Sequence, residues 1–188
     1  MPSSLWLITE DQSDFEIVKQ IFMKRNIDVT LRFFGLESGS GGISQLAEQL
    51  PKLIKGVRAN KKMKRDDCIV VLHDLDAESQ QLHNKAYKDI GKICSKEGVM
   101  RIIADDEIEA WLLADKGLCS WLNIKAKSWD GKPRVKEALV QRLHKKYPNM
   151  RYGGPDRDKI IANLDGSGLE RSSSMKAAFD QLKEANCL

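Results

Sequence analysis

The sequence predicts an α/β fold: a parallel sheet of about four strands flanked by helices, with a helical C-terminal extension. Three observations predict it. Short apolar runs alternate with helix-periodic segments over the first two-thirds of the chain. Connections of that length return each strand parallel to the last by right-handed crossovers. After Asp106 the strand signal stops and only helical segments follow.

Residues 5–9 read as the first strand, and 11–25 as a helix with Phe15, Val18, Ile21 and Phe22 at helical spacing. Residues 27–36 alternate as a second strand. Gly39-Ser40-Gly41-Gly42 is a turn, and 43–57 form a helix carrying Leu46, Leu50, Leu53 and Ile54. Residues 68–73, Cys-Ile-Val-Val-Leu-His, are apolar on both faces, as a central parallel strand requires. A helix over 77–96 and a strand over 99–104 complete the alternation. Helices are then expected over 108–114, 135–146, 159–164 and 175–185, with loops at 129–133 and 152–155. A weak boundary near 116–132 separates a core of residues 1–115 from an extension of 116–188 packed on it.

A chain of 188 residues supports one sizeable core. Apolar residues at 41% and charged residues at 31% describe a globular protein rather than a disordered or membrane-spanning one. No run reaches the roughly 18 apolar residues of a membrane span. The first residues lack a basic segment followed by an apolar stretch, so no signal peptide is expected. Cys68, Cys94, Cys119 and Cys187 form no CxxC pair and read as reduced thiols of a cytoplasmic protein. The net charge of +4 is mild, but its distribution is uneven. Lys61, Lys62, Lys64 and Arg65 form the densest basic run. A second stretch, 125–159, holds Arg134, Lys136, Arg142, Lys145, Lys146, Arg151 and Arg157. A basic rim around an acidic centre suits a polyanion held over a metal, whereas each run taken alone also reads as a solvated face.

The acidic centre is the most informative feature. Glu10, Asp74, Asp76 and Glu109 each follow a strand-like run. Carboxyl ends of parallel strands share one edge, where ligands bind. Two unit charges about 4 Å apart repel by roughly 4 kcal/mol at an effective dielectric near 20. Carboxylates so gathered stay ionised when a cation holds them, and oxygen-only ligands favour Mg²⁺ or Mn²⁺. Asp74-Leu75-Asp76 in extended backbone aims both carboxylates to one side. Asp14, one helical turn after Glu10, reads either as a further metal ligand, direct or through an outer contact, or as a solvated acid of the first helical turn. Each acid also has a local reading. Thr9-x-x-Gln12 and Ser13-x-x-Glu16 fit capping boxes, Glu109 fits a box with Asp106, and Asp74 fits a cap. Gly41 and Gly42 open a helix whose free N–H groups suit a phosphate. His73 abuts the acidic pair and reads either as a base or as a strand-end packing residue. Trp129 is a candidate base-stacking platform.

The order Glu10-x-x-x-Asp14 and then Asp74-x-Asp76 resembles the TOPRIM domain of topoisomerases, primases and OLD-type nucleases. With the Gly39–Gly42 turn, the segment Glu107-Ile-Glu109-Ala-Trp111-Leu-Leu-Ala-Asp115 and the tail Leu169-Glu-Arg-Ser-Ser-Ser-Met175, it is similar to a family of small bacterial TOPRIM-like phage-defence proteins. The resemblance implies a Rossmann-like sheet and a metal-dependent nuclease cleaving DNA or RNA. It places Glu10, Asp74, Asp76 and Glu109 in catalysis, around two ions about 3.5–4 Å apart. It further implies an antiviral effector working with a separate ABC/SMC-type ATPase chain, since no GxxxxGK[ST] occurs here. Asp11 departs from the Gly common at that position. Two alternatives remain beside it: a catalytically silent binding or regulatory subunit, and aspartyl phosphorylation at Asp74. The latter is disfavoured because the acidic pair follows the third strand.

Overall fold

The computed structural model describes residues 4–36, 42–75, 82–105 and 107–188. Four strands form one all-parallel sheet in the order β2-β1-β3-β4. They are β1 (Ser4–Ile8), β2 (Thr30–Phe33), β3 (Cys68–Asp74) and β4 (Met100–Ala104). The crossover helices are α1 (Gln12–Lys24), α2 (Gly42–Arg58) and α3 (Leu82–Glu97). The predicted alternation is thus what the chain adopts, with ends shifted by a few residues.

Strand alternation sorts the core into two layers. Leu5, Leu7, Val70, Leu72, Ile102 and Ala104 face α1 and the C-terminal helices. Trp6, Ile8, Ile69 and Val71 face α2 and α3. Because successive strand side chains point to opposite faces, β1 and β3, buried throughout or nearly so, must be apolar on both. The chain steps from β1 to β2 with α1 on one face, then returns past β1 to β3 with α2 on the other. The winding therefore reverses between β1 and β3, and such a reversal opens a crevice at the carboxyl edge.

The extension contributes α4 (Glu109–Ala114), α5 (Lys116–Trp121), α6 (Val135–Lys146), α7 (Gly154–Ala162) and α8 (Ser173–Glu184), with a 3₁₀ turn at Leu169–Arg171. Helix α5 falls where the sequence indicated only a boundary, and α7 starts earlier than the expected residue 159. Pro near the first position of α7 is compatible with the helix, because its missing N–H has no partner there in any case. Val135, Leu139, Leu143, Ile160, Met175 and Phe179 belong to the same buried cluster as Leu5 and Val70. The extension is thus part of the core.

Two aspartates hold it. Asp115 is fully buried and accepts from the N–H groups of Leu118 (2.8 Å), Asp165 (3.2 Å) and Gly166 (2.9 Å). Burial alone would push Asp130 up, yet bonds from Ser172, Ser174, the Ser173 N–H and Ser128 hold its carboxyl below the usual value. Ser174 also accepts from Trp111 Nε1 at 2.9 Å, tying α8 to α4.

The thiol reading is corrected at two of the four cysteines. Cys68, at the start of β3, and Cys187, just beyond α8, form a disulfide with Cα atoms 5.8 Å apart. Helix α8 runs back along the sheet and returns the chain to the amino end of β3, a proximity the linear sequence does not contain. Cys94 and Cys119 are free and buried. Disulfides are rare in reducing compartments, so the cysteines no longer support a cytoplasmic assignment. No helix among the described residues is long and apolar enough to cross a membrane.

Candidate metal centre at the carboxyl edge of the sheet

Glu10 lies two residues past β1, Asp74 ends β3, and Glu109 begins α4 just after β4. Because β1 pairs with β3 and β3 with β4, these three termini are adjacent, at the point where the winding reverses. Glu10 Oε1 accepts from the Asp74 N–H at 3.4 Å, which joins the first two directly. Asp74 Oδ1 accepts from the Ile108 N–H at 2.9 Å, which draws the start of α4 toward β3. The Leu75 N–H bonds Ala104 O at 2.9 Å, so the backbone stays sheet-like one residue past Asp74. Asp76 and Gly41 lie outside the described residues.

The cap of α1 explains why Glu10 and Asp14 reach the edge. Neither expected capping box forms at this helix start. Asp11 is the N-cap and accepts from the Ser13 N–H at 2.6 Å and the Asp14 N–H at 3.1 Å. Two orphan donors of the first turn are thereby satisfied without Glu10. Asp14 then projects from that turn toward Asp74.

The four carboxylates act on one another. Asp14 and Asp74 are pushed well above the usual carboxylate value, first by burial. Repulsion follows: Asp11, Glu109 and Glu10 act on Asp14, and Asp14, Glu109 and Glu10 act on Asp74. Glu109 is only 3% exposed, and Lys136 Nζ of α6 lies 3.9 Å from its Oε1. Arg157 of α7 partly offsets the charge at Asp14. Tyr152 stands beside Glu109, and burial, with Glu109 second, pushes its phenol well above the ordinary value, so it is neutral. The Tyr152 hydroxyl and Arg157 Nε are both buried without a hydrogen-bond partner. Glu109 is near enough to the hydroxyl to raise its pKa, yet no hydrogen bond of good geometry joins them. A buried donor left unpaired costs about 1–3 kcal/mol.

The donor chemistry suits a hard divalent cation: the side chains are oxygen ligands of excess negative charge, buried at the carboxyl edge. Among the described residues no three His, Cys, Asp or Glu side chains stand as a group able to hold a metal ion.

Other expected site residues lie elsewhere. Lys61, Lys62, Lys64 and Arg65 are exposed in the loop before β3, at the amino edge of the sheet, and form no rim around the acids. That loop is pinned by Asp67, which accepts from Trp6 Nε1 and the Lys64 N–H, both at 3.0 Å. Gly42 starts α2 with a φ of 51° that favours glycine. His73 is 1% exposed, and strand alternation puts its side chain on the sheet face opposite that of Asp74. Its Nδ1–H donates to Asp74 O at 2.7 Å, and Nε2 accepts from Arg101 Nε at 2.9 Å, which assigns the neutral tautomer. Burial lowers its pKa to about 4, so it is a structural residue of the α3 face rather than a base. Trp129 is half-buried, with Lys127 Nζ and Arg142 Cζ each 4.7 Å from its ring centre, so cations already occupy the ring that base stacking would need. Lys136, Tyr152 and Arg157 are the site residues that sequence reasoning missed. The basic stretch signalled the first and third only as a group, and nothing singled out Tyr152.

Compared with known proteins, the chain matches no family model, no curated protein and no solved structure.

Proposed function

We propose that this protein is a divalent-metal-dependent nuclease hydrolysing phosphodiester bonds of DNA or RNA at the carboxyl edge of its sheet. One observation carries the reading. Glu10, Asp14, Asp74 and Glu109, from separate elements, crowd together at the reversal between β1 and β3, and Asp14 and Asp74 resist ionisation there. Structural carboxylates are normally placed beside donors, as Asp115 and Asp130 are; like charges gathered at one sheet edge suit a bound cation. The order of these acids is also the basis of the TOPRIM resemblance.

In this reading Glu10, Asp74 and Glu109 hold Mg²⁺ or Mn²⁺, with Asp14 and Asp76 completing or orienting the set. A bound ion of this kind supplies an activated water and neutralises charge at the leaving oxygen. The protein fixes the carboxylates: the Ile108 N–H orients Asp74, Lys136 orients Glu109, and the Asp11 cap orients Asp14. An antiviral role with an ABC/SMC-type ATPase partner rests on the resemblance alone. A second reading is a catalytically silent binding or regulatory subunit, which would keep the fold without cleavage.

Cleavage of supercoiled plasmid and of structured RNA with 5 mM Mg²⁺ or Mn²⁺, a concentration of about the usual order for such ions, decides between them. Asp74→Asn should lower the rate by about 100-fold or more, the equivalent of roughly 3 kcal/mol of lost stabilisation. Equal cleavage by parent and variant refutes the nuclease, and Mn²⁺ binding without cleavage selects the silent subunit.

A further inference from the structure

Tyr152 and Arg157 come from the extension, not from the sheet whose strand ends deliver the acids. The loop before α7 is closed on itself: the Arg151 N–H donates to Asp156 Oδ2 at 3.2 Å, and Lys159 Nζ lies 3.1 Å from Asp156 Oδ1. That closure folds Tyr152 back on the helix it precedes, with Arg157 Cζ 5.3 Å from its ring centre. The two side chains therefore reach the acidic edge as one unit. Both present a buried donor that nothing in the protein accepts. Buried polar groups are almost always paired, and two orphans in one place call for an explanation.

Counter-charge for the carboxylates accounts for the guanidinium but not for a neutral phenol. Tyr152 adds no charge, and its hydroxyl, although close enough to Glu109 for that carboxylate to raise its pKa, makes no hydrogen bond of good geometry to it. A shared acceptor accounts for both. It must be an anion, since it meets Arg157, and it must tolerate the neighbouring acids, which an oxyanion bridged to a cation does. A tetrahedral phosphate meets both demands, because different oxygens can face the cation and the donors.

We infer that Tyr152 and Arg157 form the anion-holding half of this site, with the phenol and the guanidinium Nε–H donating to non-bridging oxygens of a nucleic-acid phosphate whose other oxygens face the metal. The inference rests on the metal-site reading above, and it adds a recognition role for the extension. The pair holds substrate, whereas Lys136, in contact with Glu109, positions a ligand.

Titration calorimetry of the full chain tests it, using Mn²⁺ first and then thymidine 5′-monophosphate, with thymidine as the phosphate-free control. Tyr152→Phe, Arg157→Gln and Arg157→Lys are compared with the parent after melting curves confirm folding. The expected result is Mn²⁺ affinity within about threefold in Tyr152→Phe and Arg157→Lys and equal or tighter in Arg157→Gln, which loses a cation beside Asp14, with nucleotide binding weakened by about 10-fold or more in Tyr152→Phe and Arg157→Gln, and no thymidine binding. Should Arg157→Gln not fold, Arg157→Lys, which keeps the charge and loses the fork, takes its place beside Tyr152→Phe. Nucleotide binding equal to the parent in these variants overturns the inference and leaves the metal site standing. Failure of the parent to bind Mn²⁺ removes the metal site instead. The nucleotide titration without metal then decides: loss in the variants sustains the anion site, and equal or absent binding ends it.

Discussion

Replacing Asp14 by Asn should make the protein more stable at neutral pH, and the gain should vanish in acid. Asp14 is the better probe than Asp74, whose carboxylate also accepts from the Ile108 N–H. Burial, then Asp11, Glu109 and Glu10, raise the folded pKa of Asp14 above its unfolded value of 3.8. Between those two values the folded state binds more protons than the unfolded state, so stability falls as pH rises. The slope per group reaches about 1.4 kcal/mol per pH unit, and with Asp74 shifted the same way the parent can lose about 2.7 kcal/mol per unit. His73 works in the opposite direction, because its folded pKa is lowered to about 4 from 6.5. It weakens the protein as pH falls from 6.5 toward 4, but it does so in parent and variant alike and cancels in their difference. Urea unfolding at half-unit steps from pH 4 to 8 reads that difference. The variant and parent should coincide near pH 4, diverge by up to about 1.4 kcal/mol per unit above it, and level off beyond the raised pKa. Saturating Mn²⁺, at about 100 times its dissociation constant, should return about 2.7 kcal/mol to the parent and less to the variant. A variant no more stable than the parent at pH 7, or a difference that does not shrink on acidification, refutes the crowding of charge on which the site reading stands.

Opening the Cys68–Cys187 link with a reductant, or by Cys187→Ser, frees a loop spanning a sequence separation of 119 residues. Loop-closure entropy puts the loss near 4.9 kcal/mol, read as a drop in the denaturation midpoint, and no change would deny the cross-link. Asp115→Ala leaves the N–H groups of Leu118, Asp165 and Gly166 without their acceptor and should cost about 3 kcal/mol or more, measured by thermal melting against Asp180→Ala as an exposed control. Changing Lys61, Lys62, Lys64 and Arg65 together to Ala should leave the cleavage rate at saturating nucleic acid within about twofold, since their loop is at the far edge of the sheet; a collapse of that rate would bring the loop into the site.

The alternation of strands and helices was legible because burial imposes period: Leu5–Ile8 and Ile69–Leu72 are apolar on both faces only because a parallel sheet covers both. That Glu10, Asp74 and Glu109 lie at or just beyond strand ends was legible too, and parallel strands bring such ends to one edge. The sequence did not contain the neighbour relations. The pairing of β1 with β3 puts Glu10 against Asp74, while the connection from β2 leaves the basic loop at the opposite edge. The route of α8 brings Cys187 to Cys68, and the closed loop before α7 brings Tyr152 and Arg157 to the acids. Local pattern is set by which face each residue must bury, and a chain records that residue by residue. Convergence depends on how layers stack and which strands pair, which is a free-energy balance over the whole molecule and is written at no single position.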